Sequence, residues 1–290
     1  MGQLTFFSPA KVNLFFKVLF KRPDGYHEIA SLFRTIDFGD LLTFELSEKD
    51  AFTCEGLAVP LGPDNLVLKA LACFRKKLQK PFFVKIHLKK NIPLQAGLGG
   101  GSSNAATALF ALNELLGAPF DLLQLLALAG QIGSDVPFFF SSGSAYCTGR
   151  GEKFEDLFLP PDAFYLAKPP FGLATKMIFE NFQLSEALGA SFDPGPFLRS
   201  WEKGRGRAFN DLERTAVALS PALGLFKKRL EKAGFKQVSM TGSGSVFLCF
   251  GHPKKKIPDL PWLFVETLQR NSRSWYPVCL CKEKPASVLI

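Results

Sequence analysis

Residues 93–104 read Pro-Leu-Gln-Ala-Gly-Leu-Gly-Gly-Gly-Ser-Ser-Asn, and the segments on either side of this stretch indicate how it is built. Before it, Val84, Ile86 and Leu88 alternate with polar residues, which predicts a strand. After it, apolar residues at helical spacing predict a helix from about residue 103 to Leu116. A flexible linker is not framed by a strand and a helix in this way, so we interpret the stretch as a structured loop.

This glycine loop has the chemistry of a phosphate-binding site. Its four glycines, Gly97 and Gly99–Gly101, place no side chain between the backbone and a ligand, and they permit positive φ angles. The start of the following helix adds free N–H donors and the positive end of the helix dipole. Ser102 and Ser103 add two hydroxyl donors. The loop therefore predicts a phosphate site, and a loop that needs glycine only for tight packing is the alternative.

Several other nucleotide-site patterns are absent from the chain. No glycine is followed by lysine, which excludes the Walker loop, and no G-x-G-x-x-G stretch of the dinucleotide-binding type occurs. The chain also lacks the motif set of the protein kinases and the G-x-S-x-G nucleophile elbow. The loop therefore predicts a phosphate site of a different kind.

The composition is that of a globular protein. The chain has 290 residues, of which 47% are hydrophobic and 21% charged, and its 31 Phe residues are expected mostly to fill the core. The net charge of +9 favours anionic partners, although the basic runs are dispersed along the sequence. No apolar stretch approaches the roughly 20 residues that span a bilayer, and no signal peptide is evident. We therefore expect no membrane association and a cytoplasmic location.

The six cysteines and three histidines form no zinc-binding pattern. The closest pair is Cys279-x-Cys281, and no C-x-x-C occurs. In a reducing compartment, we expect all six thiols to be reduced and buried.

Alternation and helical spacing predict mixed secondary structure. The sequence alternates from Lys11 to Phe20 as in a strand, which places Lys11 and Asn13 on the same face. Further elements are predicted as a turn at 22–25, strands near 42–46, 164–167 and on both sides of 241–245, and helices over 65–78, 121–132, 175–181 and 221–233. Because no strict strand–helix–strand repeat occurs, the pattern favours the α+β class with antiparallel sheets.

A stretch at 148–162 is rich in Gly, Pro and charged residues, which predicts a passage between two lobes. We accordingly divide the chain into an N-terminal lobe, residues 1–155, and a C-terminal lobe, residues 156–290.

Three motifs resemble those of the galactokinase–homoserine kinase–mevalonate kinase–phosphomevalonate kinase (GHMP) superfamily, in the expected order. They are Ser8-Pro9-Ala10-Lys11-Val12-Asn13-Leu14, the glycine loop continued through Asn104-Ala105-Ala106, and Thr241-Gly242-Ser243-Gly244-Ser245. Four more motifs narrow the resemblance to the 4-diphosphocytidyl-2-C-methyl-D-erythritol kinase family, namely Pro23–His27, Pro63–Leu66, Gly133–Phe139 and Asn210–Glu213. The chain departs from the common pattern at Gln95 and Ala96, where many members carry glycine.

The resemblance implies a two-lobed GHMP-kinase fold. Its ATP-binding N-terminal lobe would be like the second domain of ribosomal protein S5, and its C-terminal lobe would be ferredoxin-like. The implied reaction transfers the γ-phosphoryl group of ATP to the 2-hydroxyl of 4-diphosphocytidyl-2-C-methyl-D-erythritol, in the non-mevalonate isoprenoid pathway. The implied cofactors are ATP and Mg²⁺, the implied partner is the cytidine-diphosphate substrate, and we expect a monomer or weak homodimer that binds no nucleic acid.

The resemblance also implies roles for single residues. Asp135 is the implied base and Lys11 lies beside it, with Asn13 on the substrate. Tyr26 and His27 would hold the cytosine ring. The other implied substrate contacts are Thr175, Phe179, Gly242 and Ser243. The implied nucleotide contacts are Asn65, Pro93, Leu94, Gln95, Ala96, Gly97, Leu98, Gly99, Gly100, Gly101, Ser102 and Ser103. No protein ligand of Mg²⁺ is identified, although Ser102 or Ser103 could serve.

Three alternatives stay open on the sequence alone. The first is that Asp135, which follows Gly133-Ser134, is a helix N-cap. A second is a different GHMP kinase of the mevalonate or homoserine type, against which the pair Tyr26-His27 argues because those substrates carry no pyrimidine. The third is an RNA-binding module, against which the dispersed basic runs argue.

Overall fold

The structure is a computed structural model that describes residues 2–184, 192–255, 262–270 and 275–276. The described strands are β1 (Leu4–Lys21), β2 (His27–Ser47), β3 (Ala51–Gly56), β4 (Phe83–Lys90), β5 (Ser144–Gly149), β6 (Lys153–Asp156), β7 (Ala163–Ala167), β8 (Phe209–Asn210), β9 (Gln237–Met240), β10 (Phe247–Phe250) and β11 (Trp262–Glu266). The described helices are α1 (Leu66–Leu78), α2 (Gly100–Leu115), α3 (Leu122–Ile132), α4 (Thr175–Asn181), α5 (Gly195–Glu202), α6 (Leu212–Leu219) and α7 (Pro221–Lys232), with a 3-10 turn at Pro137–Phe140.

Two sheets organise the described part of the chain. In the first, seven strands lie around the long hairpin of β1 and β2, whose register runs from Leu4 opposite Phe44 to Lys21 opposite His27. This sheet is antiparallel except for the pairs β3–β4 and β1–β8. The second sheet has the order β11-β7-β10-β9 and is antiparallel throughout. The predicted α+β class with antiparallel sheets is confirmed.

The turn between β1 and β2 forms where the sequence predicts it. Gly25 adopts φ +85°, a left-handed conformation that glycine takes without a steric cost. The N–H of Arg22 donates to the carbonyl oxygen of Tyr26 at 2.7 Å, which closes the turn. The turn places Tyr26 at its end and His27 at the start of β2, opposite Lys21 of the strand that carries Lys11.

Phenylalanine side chains fill the core, as expected from their number. One buried cluster lies between the first sheet and helices α1–α3 and includes Phe7, Phe74 and Phe138. Another joins the two sheets through residues such as Phe15 and Phe164. The four described cysteines, Cys54, Cys73, Cys147 and Cys249, are free thiols, two of them buried, whereas Cys279 and Cys281 lie outside the described residues.

The stretch 148–162 differs in part from its prediction. Residues up to 156 form the hairpin of β5 and β6, which belongs to the first sheet, so only the residues after β6 lead to the second sheet. The division at 155/156 therefore falls inside β6. In addition, β8 pairs with β1, and Trp275 stacks on Phe110 of α2 with ring centroids 4.8 Å apart. The two-domain division of the sequence stays a prediction.

No helix within the described ranges combines the length and the apolar character needed to cross a bilayer.

Candidate active site

A cavity of about 820 Å³ opens between the glycine loop, the β1–β2 turn, α4 and the turn 241–244. Most of the sequence-predicted site residues line it, namely Lys11, Tyr26, His27, Pro93–Ser102, Asp135, Thr175, Phe179, Gly242 and Ser243. The fold thus brings together residues from all three motifs that resemble the GHMP superfamily.

The glycine loop wraps around the start of α2. Gly97 and Gly99 have φ angles of +75° and +66°, and a Cβ atom on Gly97 would lie 2.4 Å from the carbonyl oxygen of Thr241. Helix α2 begins at Gly100, earlier than predicted, because Gly99 reverses the chain direction and serves as its N-cap. The N–H groups of the first turn, which have no partner within a helix, therefore lie in the wall of the cavity.

Lys90 lies beneath this helix start and was not among the site residues predicted from the sequence. A Cβ atom on Gly100 would come within 2.8 Å of Lys90 Nζ. The side chain is buried and pairs with Asp40, which is itself fully buried. A signal was present in the sequence, because position 90 continues the apolar row of Ile86 and Leu88. A lysine in the phase of a buried row indicates a paired or functional charge.

Lys11 and Asp135 meet in the centre of the cavity. Lys11 Nζ lies 3.4 Å from Asp135 Oδ2 and donates a hydrogen bond of 2.8 Å to Asn13 Oδ1, so Lys11 and Asn13 share one face of β1 as predicted. Lys11 Nζ also lies 4.4 Å from the centre of the Phe33 ring. The side chain of Lys11 is 5% exposed, whereas that of Asp135 is 31% exposed. A carboxylate open to the cavity is thus held against a buried cation.

Asp135 is not the N-cap of the element that follows it. The following 3-10 turn, Pro137–Phe140, has Val136 at its N-cap position and receives no side-chain cap. The segment is instead anchored by Val136, Phe138 and Phe139, all buried.

A second part of the cavity is aromatic. The rings of His27 and Phe179 lie 5.3 Å apart at 30° to each other, and Tyr26 is exposed at the rim with the Arg150 guanidinium 4.7 Å from its ring centre. Burial, with a smaller contribution from the charge of Lys21, lowers the pKa of His27 below its ordinary value. The ring therefore favours its neutral form, which can both donate and accept a hydrogen bond.

The turn 241–244 packs directly against the glycine loop and lines the cavity beside it. Thr241 Oγ1 accepts a hydrogen bond of 2.7 Å from the N–H of Asn13. Ser243 and Thr175 are joined by a hydroxyl–hydroxyl hydrogen bond of 2.8 Å. Gly242 has φ +56°, and a Cβ atom there would lie 3.2 Å from Asn13 Oδ1. The turn is therefore in contact with both the charged and the aromatic parts of the cavity.

Three predicted residues do not line the cavity. Asn13 lies behind Lys11. Asn65 caps α1, where its Oδ1 accepts from the N–H of Val67 at 2.9 Å, and the cavity wall is formed by Leu66. Ser103 is buried, and its hydroxyl is hydrogen-bonded to Ser8 Oγ at 2.8 Å.

Within the described ranges, no group of three or more His, Cys, Asp or Glu side chains is placed to hold a metal ion.

Comparison with known proteins relates the whole chain to one group of kinases. A family described as the GHMP kinases N terminal domain matches residues 65–143. A 4-diphosphocytidyl-2-C-methyl-D-erythritol kinase from Protochlamydia amoebophila (strain UWE25) is 44% identical over 95% of this chain and 94% of its own length. A chloroplastic kinase of the same name from Oryza sativa subsp. japonica is 40% identical over 94% of this chain and 73% of its own length.

The fold agrees with the sequence relationship. A crystal structure of a 4-(cytidine 5'-diphospho)-2C-methyl-D-erythritol kinase superposes with a TM-score of 0.77 and is 32% identical, covering 91% of this chain and 99% of its own. The two-lobed GHMP-kinase fold expected from the sequence is therefore confirmed. This chain belongs to the 4-diphosphocytidyl-2-C-methyl-D-erythritol kinase family.

Proposed function

We propose that the protein catalyses ATP-dependent phosphorylation of the 2-hydroxyl of 4-diphosphocytidyl-2-C-methyl-D-erythritol, giving the 2-phosphate and ADP, in the non-mevalonate isoprenoid pathway. One observation carries the proposal. The ion pair of Lys11 and Asp135 lines the same cavity as the glycine loop and the neighbouring rings of His27 and Phe179. Family membership supports the same reaction.

The donor end of the cavity is the glycine loop. The phosphates of ATP would lie against the free N–H groups at the start of α2, where the helix dipole favours negative charge. Glycine at positions 97 and 99 lets the loop pack closely against Thr241 and Lys11, and Gly97, Gly99 and Ser102 all line the cavity. Lys90 lies below Gly100 as a buried ion pair with Asp40, so it supports the underside of the loop without adding a net charge.

Magnesium fits this end of the site. We assign Ser102, rather than Ser103, as the candidate protein ligand, because the Ser103 hydroxyl is buried and bonded to Ser8 whereas Ser102 lines the cavity. When bound, Mg²⁺ would be held at this end of the cavity by Ser102 together with the phosphates, and it would offset their negative charge. Asn65 stays a predicted contact on the adenine side. Its side-chain amide caps α1, and the neighbouring residue Leu66 lines the cavity.

The acceptor end is the aromatic pocket. A cytosine ring would stack on Tyr26 and Phe179 and form hydrogen bonds with the neutral His27 ring. This pocket supports the cytidyl substrate over acceptors without a pyrimidine. Thr175 and Ser243 bond to each other at its edge, and Gly242 brings the backbone close to Asn13.

The chemical step needs a base and a cation at the acceptor hydroxyl. Asp135 would take the proton of the hydroxyl as its oxygen attacks the γ-phosphorus, a contribution of about 10²–10⁴-fold for general-base catalysis. Lys11 favours the ionised form of Asp135 and stabilises negative charge that develops on the transferred group. The hydrogen bond from Lys11 to Asn13 holds the ammonium group in place.

Turnover with defined acceptors tests the proposal. The purified protein is incubated with ATP, Mg²⁺ and one of three acceptors: 4-diphosphocytidyl-2-C-methyl-D-erythritol, mevalonate or homoserine. We expect ADP formation with the first alone, and a new phosphomonoester signal by ³¹P NMR at its tertiary 2-hydroxyl. Phosphorylation of mevalonate or homoserine with no turnover of the cytidyl substrate would contradict the proposal.

Assembly, partners and location stay predictions. We expect a monomer or weak homodimer, measurable by size-exclusion chromatography with light scattering, and no affinity for RNA in a filter-binding assay. A cytoplasmic location is predicted from the sequence, although a plant relative is named as chloroplastic.

A further inference from the structure

The motif Asn210–Glu213 matches the family but contributes no side chain to the wall of the cavity. We propose that Asn210 is a positioning residue, which sets the place of the turn 241–244 at the acceptor end of the site. The inference rests on the proposed function, because it assigns that end of the cavity to the cytidyl substrate.

The side-chain amide of Asn210 uses both of its ends. Its Nδ2 donates to the carbonyl oxygens of Met240 at 2.8 Å and of Gly242 at 2.7 Å. Its Oδ1 accepts from the N–H of Leu212 at 2.9 Å, at the start of α6. Only an amide supplies two donors and an acceptor in this arrangement. An aspartate would keep the bond to Leu212 but would lose both donors to the turn.

The turn that Asn210 holds is in contact with both halves of the acceptor site. Thr241 binds the backbone of Asn13, the residue that holds Lys11. Ser243 is bonded to Thr175 at the first turn of α4, the helix that carries Phe179 against His27. A shift of the Gly242 carbonyl would therefore move the acceptor pocket and the strand of Lys11 together.

The two charged residues of the motif, Asp211 and Glu213, anchor it to the strands β1 and β9. Asp211 Oδ2 accepts from the N–H of Val18 and pairs with Lys17, each at 3.0 Å, which ties the motif to β1. Glu213 Oε2 accepts from the N–H of Met240 at 2.7 Å, which ties it to β9. The backbone around Asn210 is therefore held by β1 and β9, and the hydrogen bonds of its amide fix the position of the turn relative to these strands.

Steady-state kinetics of Asn210→Asp and Asn210→Ala test this role, with Asn113→Ala as the matched control. Asn113 is buried and, like Asn210, bonds a backbone N–H and a backbone carbonyl oxygen, in its case both of Phe120, which does not line the cavity. We expect each Asn210 variant to raise the KM of the cytidyl acceptor at least about tenfold. The KM of ATP should rise by a smaller factor, because the turn also packs against Gly97 of the glycine loop. The control should change neither KM beyond about threefold.

A pH series separates positioning from a general loss of stability. In Asn210→Asp, protonation of the carboxyl group restores one donor to the turn. The acceptor KM of this variant, divided by that of the wild type at the same pH, should therefore fall as the pH is lowered. The same ratio for Asn210→Ala and Asn113→Ala should stay constant.

The possible failures are distinguishable. An active wild type whose acceptor KM is unchanged in both Asn210 variants would overturn the positioning role alone, as would equal changes in both KM values. A wild type that does not phosphorylate the cytidyl substrate would overturn the proposed function and this inference with it.

Discussion

Lys11 Nζ lies 3.4 Å from Asp135 Oδ2, and the two residues come from opposite ends of the N-terminal half of the chain. The ammonium group is buried among Asn13, Phe33 and the glycine loop, whereas the carboxylate faces the cavity. An unpaired buried cation has a large desolvation cost, and the ion pair with Asp135 offsets part of it. The Phe33 ring packs against the same ammonium group. The arrangement leaves one face of the carboxylate available to an acceptor hydroxyl.

Replacing Asp135 by Asn should remove the base and preserve the shape of the site. We expect kcat to fall by about 10²–10⁴-fold, with the KM of ATP within about threefold of the wild type. The measurement is coupled ADP release under saturating substrates. Asp121→Asn is the control, because Asp121 is the exposed N-cap of α3 and Asn caps equally well. Near-normal turnover of Asp135→Asn would remove this residue from the base role.

Gly99→Ala should damage the site through Lys11. The new methyl group would lie 2.8 Å from Lys11 Cγ, and the φ of +66° costs an alanine roughly 1–2 kcal/mol. We expect a lower Tm and a loss of kcat of at least about tenfold, because displacement of a catalytic group by about 1 Å has effects of this order or larger.

The matched control for this variant is Gly130→Ala. Gly130 lies inside α3, and nothing lies within 4 Å of a Cβ atom placed there. Alanine at this position should stabilise the protein by about 0.5–1 kcal/mol with unchanged kcat. Wild-type kcat in Gly99→Ala would show that Lys11 is not held by the loop.

His27 should titrate below the ordinary histidine pKa of about 6.5, because burial and the charge of Lys21 disfavour its protonated form. Between the lowered pKa of the folded state and about 6.5, the unfolded chain binds more protons at His27 than the folded chain does. The free energy that the neutral ring contributes to folding is therefore fully present above about pH 6.5, and it is lost as the pH falls through the lowered pKa. The pKa can be measured from the imidazole C–H signals by NMR.

Denaturation at two pH values checks the sign of this effect. The free energy of unfolding is compared at pH 7.5 and 5.5 for the wild type and His27→Phe, which keeps a ring beside Phe179 and Phe182. The variant should lose less stability on acidification than the wild type. A His27 pKa of 6.5 or above would contradict the prediction.

Trp275→Ala should destabilise the N-terminal half, although the residue lies near the opposite end of the chain. Its ring packs between Phe110 and Phe140, and its Nε1 donates to the carbonyl oxygen of Phe7 at 3.0 Å. We expect a loss of about 3–5 kcal/mol in urea denaturation, the range for truncation of a buried Trp. Phe158→Ala, at a side chain that is 79% exposed, should stay within about 0.5 kcal/mol. An equal effect of the two changes would mean that Trp275 is not part of this core.

Local patterns predicted most of the regular elements that carry the site. Alternation along β1 placed Lys11 and Asn13 on one face, and helical spacing located α1, α3 and α7 to within one or two residues. The first turn of α2 was missed because two glycines, Gly100 and Gly101, have poor helix propensity, and the left-handed Gly99 with its surrounding contacts imposes the helix there. Helices α5 and α6, each of eight residues, were also missed, whereas the seven-residue α4 was predicted.

The sequence by itself determined the family, and it predicted a phosphate site and the residues of the reaction, because these depend on local spacing and on motifs within short segments. The tertiary structure alone decided which of those residues meet. It placed Asp135 against Lys11, buried Lys90 under Gly100, turned Ser103 away from the cavity and Ser102 toward it, and gave Asn210 its bonds to the turn 241–244. Such contacts join residues far apart along the chain, and their geometry follows from sheet register and core packing rather than from any local pattern.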